Sequence, residues 1–571
     1  MNNHHDDSAR MEANSLSLPE CRATSYVYQP LDDATQSIRL IRLQPALSFD
    51  TDVQCDIYHV TLDTRPIYEA LSYAWGDAKV TSPIFLEGCP FQATVNLVSA
   101  LRHLRHEDKT RTLWVDAICI DQSNIQERGH QVAFMATIYS MAESDILWLG
   151  DDPHDDAETA FKFIQNMCHT FNNLPPKGKE RTKAVRAAYS VLGEDAPVTP
   201  LQRIMNNRPI WKRIWIVQEI VVARKVSIQC GNHSMSWDSL GPFMYLIQND
   251  HSLWQQPGAL FFFENVLETI QYAALINTVR ISYHEPGHRA SILELWSQFY
   301  DLLATDPRDK IFALLGLAAP MSLDSNADYT KPAPEIFTMA VRTIIYQTKK
   351  LDALCMGHRQ PANRALPTWV VDFGSCAYFS FPFWRNPIYL ASGNTDVSSD
   401  TVIHPALDPA KLVVSGLQLD TILTCHYTTT SNGIQTWLDL RPMIQNLPHD
   451  ILKHRYHTGE SMVVALARTI TGDMSFGPFE ERQRMQESRS ISRDIQSILS
   501  WTGRLHDQLG KEGDILSVLY GSNVPHVLRK VPGKEDTYTL VGTAYVHGFM
   551  YGEAIQWRDQ GKLKGQKFNL I

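Results

Sequence analysis

The stretch that most constrains this chain is Leu113–Gly150, LWVDAICIDQSNIQERGHQVAFMATIYSMAESDILWLG, which is patterned as one strand–helix–strand unit. Leu113–Ile120 is a mostly apolar run of the kind that suits a strand buried in a parallel sheet. Ser123 and Gln126 follow at capping-box spacing, where each side chain can satisfy a free backbone N–H as a helix begins. Val132, Met135, Ala136 and Tyr139 then recur at i, i+3, i+4 and i+7, one apolar stripe on that helix. Ile146–Leu149 reads as the second strand, stopped by Gly150 and a run of aspartates. Asp116 and Asp121 stand out, because a plain buried strand has no use for carboxylates at its carboxyl end. That end is where open α/β sheets place their ligand crevice.

The flanking sequence extends the alternation. Ser37–Leu43 and Gln54–Leu62 alternate polar and apolar residues and predict a hairpin ahead of the main sheet. Tyr68–Trp75 is the first core strand, turned by Gly76 and Asp77, and Val95–Leu104 carries a helical pattern. Arg208–Val222 restarts helical order with Pro209 in its first turn, and Lys225–Cys230 is the strand after it. The expected fold is therefore α/β, a parallel-sheet core with helices on both faces. A mainly helical region and a small C-terminal antiparallel β module follow it.

The boundaries expected are a disordered N-terminus over 1–36 and a core domain over 37–237 with a loop insertion near 172–200. A helical and mixed region then covers 238–480, and a helix plus β module covers 481–571. Within the third segment Asp306 can cap a helix opened by Pro307, Glu335–Leu351 is helical, and Leu366–Phe373 and Leu412–Leu417 are strand-like. Gln483–Leu505 reads as a polar amphipathic helix, and Gly513–Ile555 as short strands between Gly, Pro and Asn turns. A length of 571 residues fits about three or four domains.

Composition removes several function classes. The net charge of −10, with no basic run, argues against a partner held by phosphate neutralisation, so no nucleic acid is expected. No apolar window is long enough to span a bilayer. The nine cysteines are scattered and none forms a Cys-x-x-Cys pair, which indicates neither a disulfide framework nor a zinc ribbon. A cytoplasmic, reducing compartment is the reading that follows. His103 and His106 share no face with a carboxylate pair, so no metal is expected. Cys119 with His130 has no spacing that marks a thiol nucleophile, and no P-loop or Gly-x-Gly-x-x-Gly pattern follows a strand.

Three blocks in order carry a resemblance: YEALSYAWGD at Tyr68–Asp77, LWVDAICIDQ…ERGHQV…IYSMA at Leu113–Ala142, and RPIWKRIWIVQEI at Arg208–Ile220. Together they resemble the fungal heterokaryon incompatibility (HET) domain. The DPRDKIFALLGLA, LPTWVVDF and closing GDILSVLYGSNVPHVLR…YTLVGTAYVHGFMYGEA blocks look like the downstream regions of long HET proteins. The resemblance implies an effector of cell death or growth arrest when unlike hyphae fuse, working with protein partners or by self-association. It also implies a core distantly similar to TIR domains and hence flavodoxin-like. Some TIR domains cleave NAD at the nicotinamide–ribose bond through a glutamate in a Trp-x-x-x-Glu helix. Trp215-Ile-Val-Gln-Glu219 has that spacing, which makes NAD a candidate substrate and Glu219 the candidate catalytic residue.

Each candidate also has a plainer role. Glu219 can hold ribose hydroxyls and the positive charge that develops as nicotinamide leaves, or it can be a structural ion-pair partner of Arg128 or Arg208. Asp116 can bond a polar ligand or tie down a neighbouring loop, and Asp121 can do the first or cap a helix. Tyr73, Trp75, Gly76 and Asp77 can stack on a base and admit a phosphate, or be core and turn. Trp215 joins them as a nucleotide-contacting candidate on the Glu219 helix. The sequence leaves open whether the chain is an enzyme or a non-enzymatic module that recruits partners.

Overall fold

The computed structural model describes residues 25–174, 197–249, 267–319, 327–356, 365–375, 389–397, 410–422 and 511–571, apart from positions 33, 207, 288 and 545. A few further residues between 179 and 187, and residue 408, are also described. The N-terminal stretch before residue 25, most of the loop near 172–200, and the helix expected over Gln483–Leu505 lie outside the described residues, as do Cys21, Cys376 and Cys425.

Nine strands form the main sheet: β1 (Ser37–Leu43), β2 (Gln54–Thr61), β3 (Glu69–Tyr73), β4 (Thr81–Leu86), β5 (Cys89–Thr94), β6 (Arg111–Trp114), β7 (Asp145–Trp148), β8 (Val226–Cys230) and β9 (His233–Ser236). Their order is β5-β4-β2-β1-β6-β3-β7-β8-β9. The middle four, β6-β3-β7-β8, are parallel throughout. Around them β1 pairs antiparallel with both β2 and β6, β4 with β5, and β8 with β9, while β2 and β4 run parallel.

The sheet is thus mixed rather than parallel. Parallel strands need long crossovers, and the helices here supply them only between the four central strands. The additions on either side are hairpin-linked. Glu87 (φ 51°) and Gly88 (φ 72°) make the two-residue turn of β4–β5, and Gly231 (φ 52°) opens the turn of β8–β9.

The central strands read as apolar runs because both their faces are covered. Every residue of β7 is buried, including Asp145. The strand expected over Leu113–Ile120 stops at Trp114, and Asp116–Cys119 forms one helical turn instead. The long helix Ile125–Met141 is capped by Asn124, whose side chain accepts from the Gln126 and Glu127 N–H groups, rather than by Ser123 or Asp121. A buried ion pair fixes this helix to β1: Arg39 Nη1 lies 2.5 Å from Glu127 Oε1, and Nη2 donates to Oε2 at 3.0 Å. Helix Trp215–Val222 is buried on every side except at Trp215, as expected of an element that is apolar all round.

Downstream, helices Leu267–His284, Ile292–Phe299, Asp309–Leu315 and Ala333–Thr348 precede a closed five-stranded barrel. Its strands are β10 (Leu412–Thr421), β11 (Ile515–Leu519), β12 (His526–Lys530), β13 (Thr537–Thr543) and β14 (Gly565–Leu570). The expected antiparallel module differs in two respects. β10 comes from well upstream of residue 481, and β13 pairs parallel with β14. Leu366–Phe373 is not a strand; its Trp369, Val370, Val371 and Phe373 fill the core from turns. One apolar cluster runs from Ile38 on β1 to Phe568 and Leu570 on β14.

Cys55, Cys119, Cys168, Cys230 and Cys355 are free thiols. No helix among the described residues is long and apolar enough to cross a membrane.

Candidate functional site

Parallel pairing sets Glu69 opposite Leu113 and Ala70 opposite Trp114, so β6 ends beside the start of β3 and the chain that follows it, through Val115 and Asp116, runs on toward the carboxyl end of β3. Beyond that end, Trp75 Nε1 donates to Asp116 Oδ2 at 2.9 Å, and the Ala117 N–H donates to Asp116 Oδ1 at 2.7 Å. Arg213 comes from the bend between the 3-10 turn Pro209–Lys212 and helix Trp215–Val222, and its Nη1 donates to the Tyr73 carbonyl. Glu219 sits one and a half turns further along, only 1% exposed. From the sheet below, Ser72 on β3 donates to Asp145 Oδ1 on β7 at 2.9 Å. The cluster grades from partly buried Trp75, Asp116 and Arg213 to fully buried Tyr73, Tyr139, Asp145 and Glu219.

Its electrostatics follow from placing several carboxyls around one guanidinium. Burial pushes the Glu219 carboxyl up to about 7; Arg213 and hydrogen bonding from Ser72 and Tyr139 pull it down, while Asp116 adds to the rise. Asp145 is held well above the usual carboxylate range by burial and then by Glu219. Burial also raises Asp116, against Arg213 and the Trp75 bond. Burial opposes the charge on Arg213, but Glu219 and Asp116 outweigh it and its pKa ends above the ordinary value. Arg213 therefore serves Glu219 and Asp116, Asp145 has only the charge of Arg280, and the three carboxyls do not all ionise at neutral pH. Glu219 is the member poised to change state there. Glu219 Oε2 and Asp145 Oδ2 have no hydrogen-bond partner within the protein, and Tyr73 Oη faces Asp116 without a well-formed bond.

Of the residues singled out from sequence, Tyr73, Trp75, Asp116 and Glu219 meet in this cluster. Gly76 (φ 75°) and Asp77 lie just beyond it as an exposed turn, with Asp77 Oδ1 accepting from the Lys79 N–H at 2.9 Å. Asp121 is used elsewhere: its Oδ1 accepts from Ser123, and its N–H donates to Glu127 beside Arg39. Trp215 donates through Nε1 to Asp309 Oδ2 at 3.1 Å. Neither arginine expected as a structural partner serves Glu219. Arg208 binds carbonyls of Leu149, Asp151 and Arg203, and Arg128 lies 4.2 Å over the Tyr329 ring.

The sequence reading missed Arg213, Asp145, Ser72 and Tyr139. Asp145 carried a signal, a charged residue opening a buried strand. Arg213 carried none beyond its place in the block that holds Glu219. Cys119 is buried and its thiol is pushed up to about 12, which leaves it unreactive. Among the described residues no group of three or more His, Cys, Asp or Glu side chains is placed to hold a metal.

Two family models match the chain in order. Residues 68–219 match the heterokaryon incompatibility protein (HET) model, which spans β3 to Glu219 itself, and residues 503–562 match the Het-6 β-barrel domain. Heterokaryon incompatibility protein 6, OR allele, of Neurospora crassa is 25% identical over an alignment covering 93% of this chain and 96% of its own length. No solved structure matches. With the core blocks, the barrel and that near full-length relative in agreement, the chain is a fungal heterokaryon incompatibility (HET) domain protein.

Proposed function

We propose that this protein is an allorecognition effector that triggers cell death or growth arrest in the cytoplasm, and that its core does so by cleaving NAD at the nicotinamide–ribose bond. Numbered by their sequence among themselves, the four parallel strands lie in the order second, first, third, fourth. That is the order of flavodoxin-like sheets, whose ligands sit where the order reverses, at the carboxyl end of the first strand. In this chain that strand is β3, and the Trp75–Asp116–Arg213–Glu219 cluster stands at its end. The observation that carries the reading is Glu219, a buried carboxyl at that position whose Oε2 has no hydrogen-bond partner and which is poised near neutrality.

In this reading Trp75 stacks on the nicotinamide or the adenine, the Gly76–Asp77 turn admits the diphosphate, and Asp116 and Glu219 hold ribose hydroxyls. The bond between nicotinamide nitrogen and ribose C1′ breaks with its electron pair leaving on nicotinamide, which departs neutral. Ionised Glu219 stabilises the oxocarbenium-like charge at C1′, and water adds there and loses a proton. The products are nicotinamide, ADP-ribose and a proton. No metal is required. Because Glu219 is so deeply buried, access depends on self-association or a protein partner that opens the carboxyl end of β3.

That burial also favours a second reading, in which the cluster only holds the helix in place and the protein acts by recruiting partners. NAD consumption by the concentrated full-length protein, alongside Glu219→Gln, decides between them. Nicotinamide release that disappears in a folded Glu219→Gln variant supports the enzyme. Equal turnover by both proteins removes Glu219 from the chemistry, and no turnover by wild type when concentrated or crowded favours recruitment.

A further inference from the structure

The segment matched by the HET model ends at Glu219, and the helix that carries Glu219 packs on helix Ile125–Met141 within it, yet hydrogen bonds at both ends of the Glu219 helix come from residues beyond that segment. At the amino end, Leu303 forms a parallel bridge with Arg213; its carbonyl accepts from the Ile214 N–H at 2.9 Å, and its N–H donates to the Lys212 carbonyl at 2.5 Å. Lys310 fixes that loop by donating to the Tyr300 and Leu302 carbonyls. At the carboxyl end, Arg280 donates to the carbonyls of Ile220, Val221, Ala223 and Arg224, the groups a helix leaves without partners. His284 Nε2 lies 3.0 Å from the Val221 carbonyl.

A third hold is a side-chain relay. Asp309 Oδ2 accepts from Trp215 Nε1 at 3.1 Å, and Asp309 Oδ1 accepts from the Tyr329 hydroxyl at 2.7 Å. Arg128 and Arg308 lie over the Tyr329 ring at 4.2 and 5.1 Å, and Arg308 also donates to the Tyr329 and Lys331 carbonyls.

We infer that Asp309 is a positioning residue through which the downstream region sets the hold on the Glu219 helix, tight when Asp309 is charged and loose when it is neutral. The Leu303 backbone and the Arg280 guanidinium meet backbone groups of the helix, which do not titrate, whereas the Asp309 hold depends on charge. An ionised carboxylate gives both donors a charge-assisted bond. Once protonated, Asp309 can turn its O–H toward Tyr329, whose hydroxyl can accept, and the Trp215 indole, a donor only, is left with a neutral carbonyl at roughly half the strength.

The groups facing Asp309 place this change within reach. Burial pushes its carboxyl up to about 6, the Tyr329 and Trp215 bonds lower it, Asp306 raises it and Arg128 lowers it. Arg308 stands on the same side, paired with Asp306. Because the Trp215 bond lowers the Asp309 carboxyl, that bond is stronger while Asp309 is ionised and weakens as pH falls through about 6, although burial by itself favours the proton. The inference concerns where the helix sits and holds whether or not Glu219 does chemistry.

Hydrogen exchange of the full-length protein carrying Glu219→Gln, which removes the opposite pH response of that carboxyl, at pH 7.5 and 5.5 and corrected for intrinsic rates, tests it. Protection of the amides of residues 215–222 should fall about fivefold at the lower pH, the effect of a charge-assisted bond becoming neutral. Helix Val95–Leu104, which shares none of these bonds, should not change. Asp309→Asn, isosteric with the protonated acid, should show the low-pH protection at both pH values, and Asp309→Glu should restore the pH dependence. Asp309→Asn with undiminished protection at pH 7.5, or with the pH response intact, overturns the inference. If Asp309→Asn loses protection across the whole chain, Trp215→Phe becomes the deciding variant. It must loosen residues 215–222 alone and abolish their pH response, and a Trp215→Phe protein indistinguishable from its Glu219→Gln parent overturns the inference equally.

Discussion

The indole of Trp75 and the carboxylate of Asp116, joined at 2.9 Å, tie the end of β3 to the turn that follows β6. Asp116 is raised by burial, so each donor it keeps offsets part of that cost. Trp75→Phe retains the ring's packing and removes the N–H. It should lower stability by about 1–2 kcal/mol at neutral pH in urea denaturation, the cost of leaving a buried acceptor short of a donor.

Glu219 makes stability depend on pH in a direction opposite to most carboxylates. Its folded pKa of about 7 lies above the ordinary value near 4.3 expected for the unfolded chain. Between those values the folded state binds the extra proton, so stability falls as pH rises from about 4.5 to 7 and then levels off. The gap corresponds to about 4 kcal/mol. Glu219→Gln, which keeps the shape and never charges, should match wild type near pH 4.5 and exceed it by roughly that amount at pH 8. Urea midpoints at the two pH values check this, and a variant less stable at pH 8 would mean that the charged form is the one the fold supports.

Arg39 and Glu127 form a buried, two-pronged pair between β1 and helix Ile125–Met141, and Arg39 also donates to the Cys119 carbonyl at 3.0 Å. Removing one member leaves the other charge without compensation in the core. Arg39→Met should cost about 3–5 kcal/mol, and the double variant Arg39→Met with Glu127→Leu should cost much less than the sum of its singles. A double-mutant cycle in chemical denaturation measures the difference.

The readable part of the fold was the part whose causes are local. β3 and β7 are buried on both faces and therefore appear as apolar runs, and β8 alternates buried and half-buried residues. β2 is only partly covered, whereas β1 alternates in sequence with Arg42 alone exposed, because Arg39 is buried in its pair with Glu127. The pairs β4–β5 and β8–β9 did not show. Pro83 and Pro90 interrupt the first pair, and β9 is four residues with a single buried side chain. β11, β12 and β13 could be read from their turns, but β14 lies beyond the expected Gly513–Ile555 run, and closure by β10 depends on a pairing nearly a hundred residues away in sequence.

The site divides in the same way. Glu219 and Asp116 were visible as carboxylates in apolar surroundings. Arg213 and Asp309 act only through tertiary packing, and an arginine six residues before a glutamate has no helical geometry to announce it.

Gly129 sets how closely the downstream segment approaches the core. A Cβ added there would stand 2.6 Å from the Ala327 carbonyl oxygen, a backbone atom that cannot rotate away. Alanine in mid-helix normally gains up to about 1 kcal/mol over glycine. Here the gain is outweighed by overpacking of about 1–3 kcal/mol, since either helix Ile125–Met141 or the Ala327–Lys331 segment must shift. That segment carries Tyr329, so the shift also strains the bond to Asp309. Gly129→Ala should therefore lower the melting temperature and, at pH 7.5, reduce exchange protection of residues 215–222, although Gly129 shares no bond with them. A melting temperature at or above the wild-type value would show that the backbone at Ala327 yields freely, and that the junction is looser than its 2.6 Å approach implies.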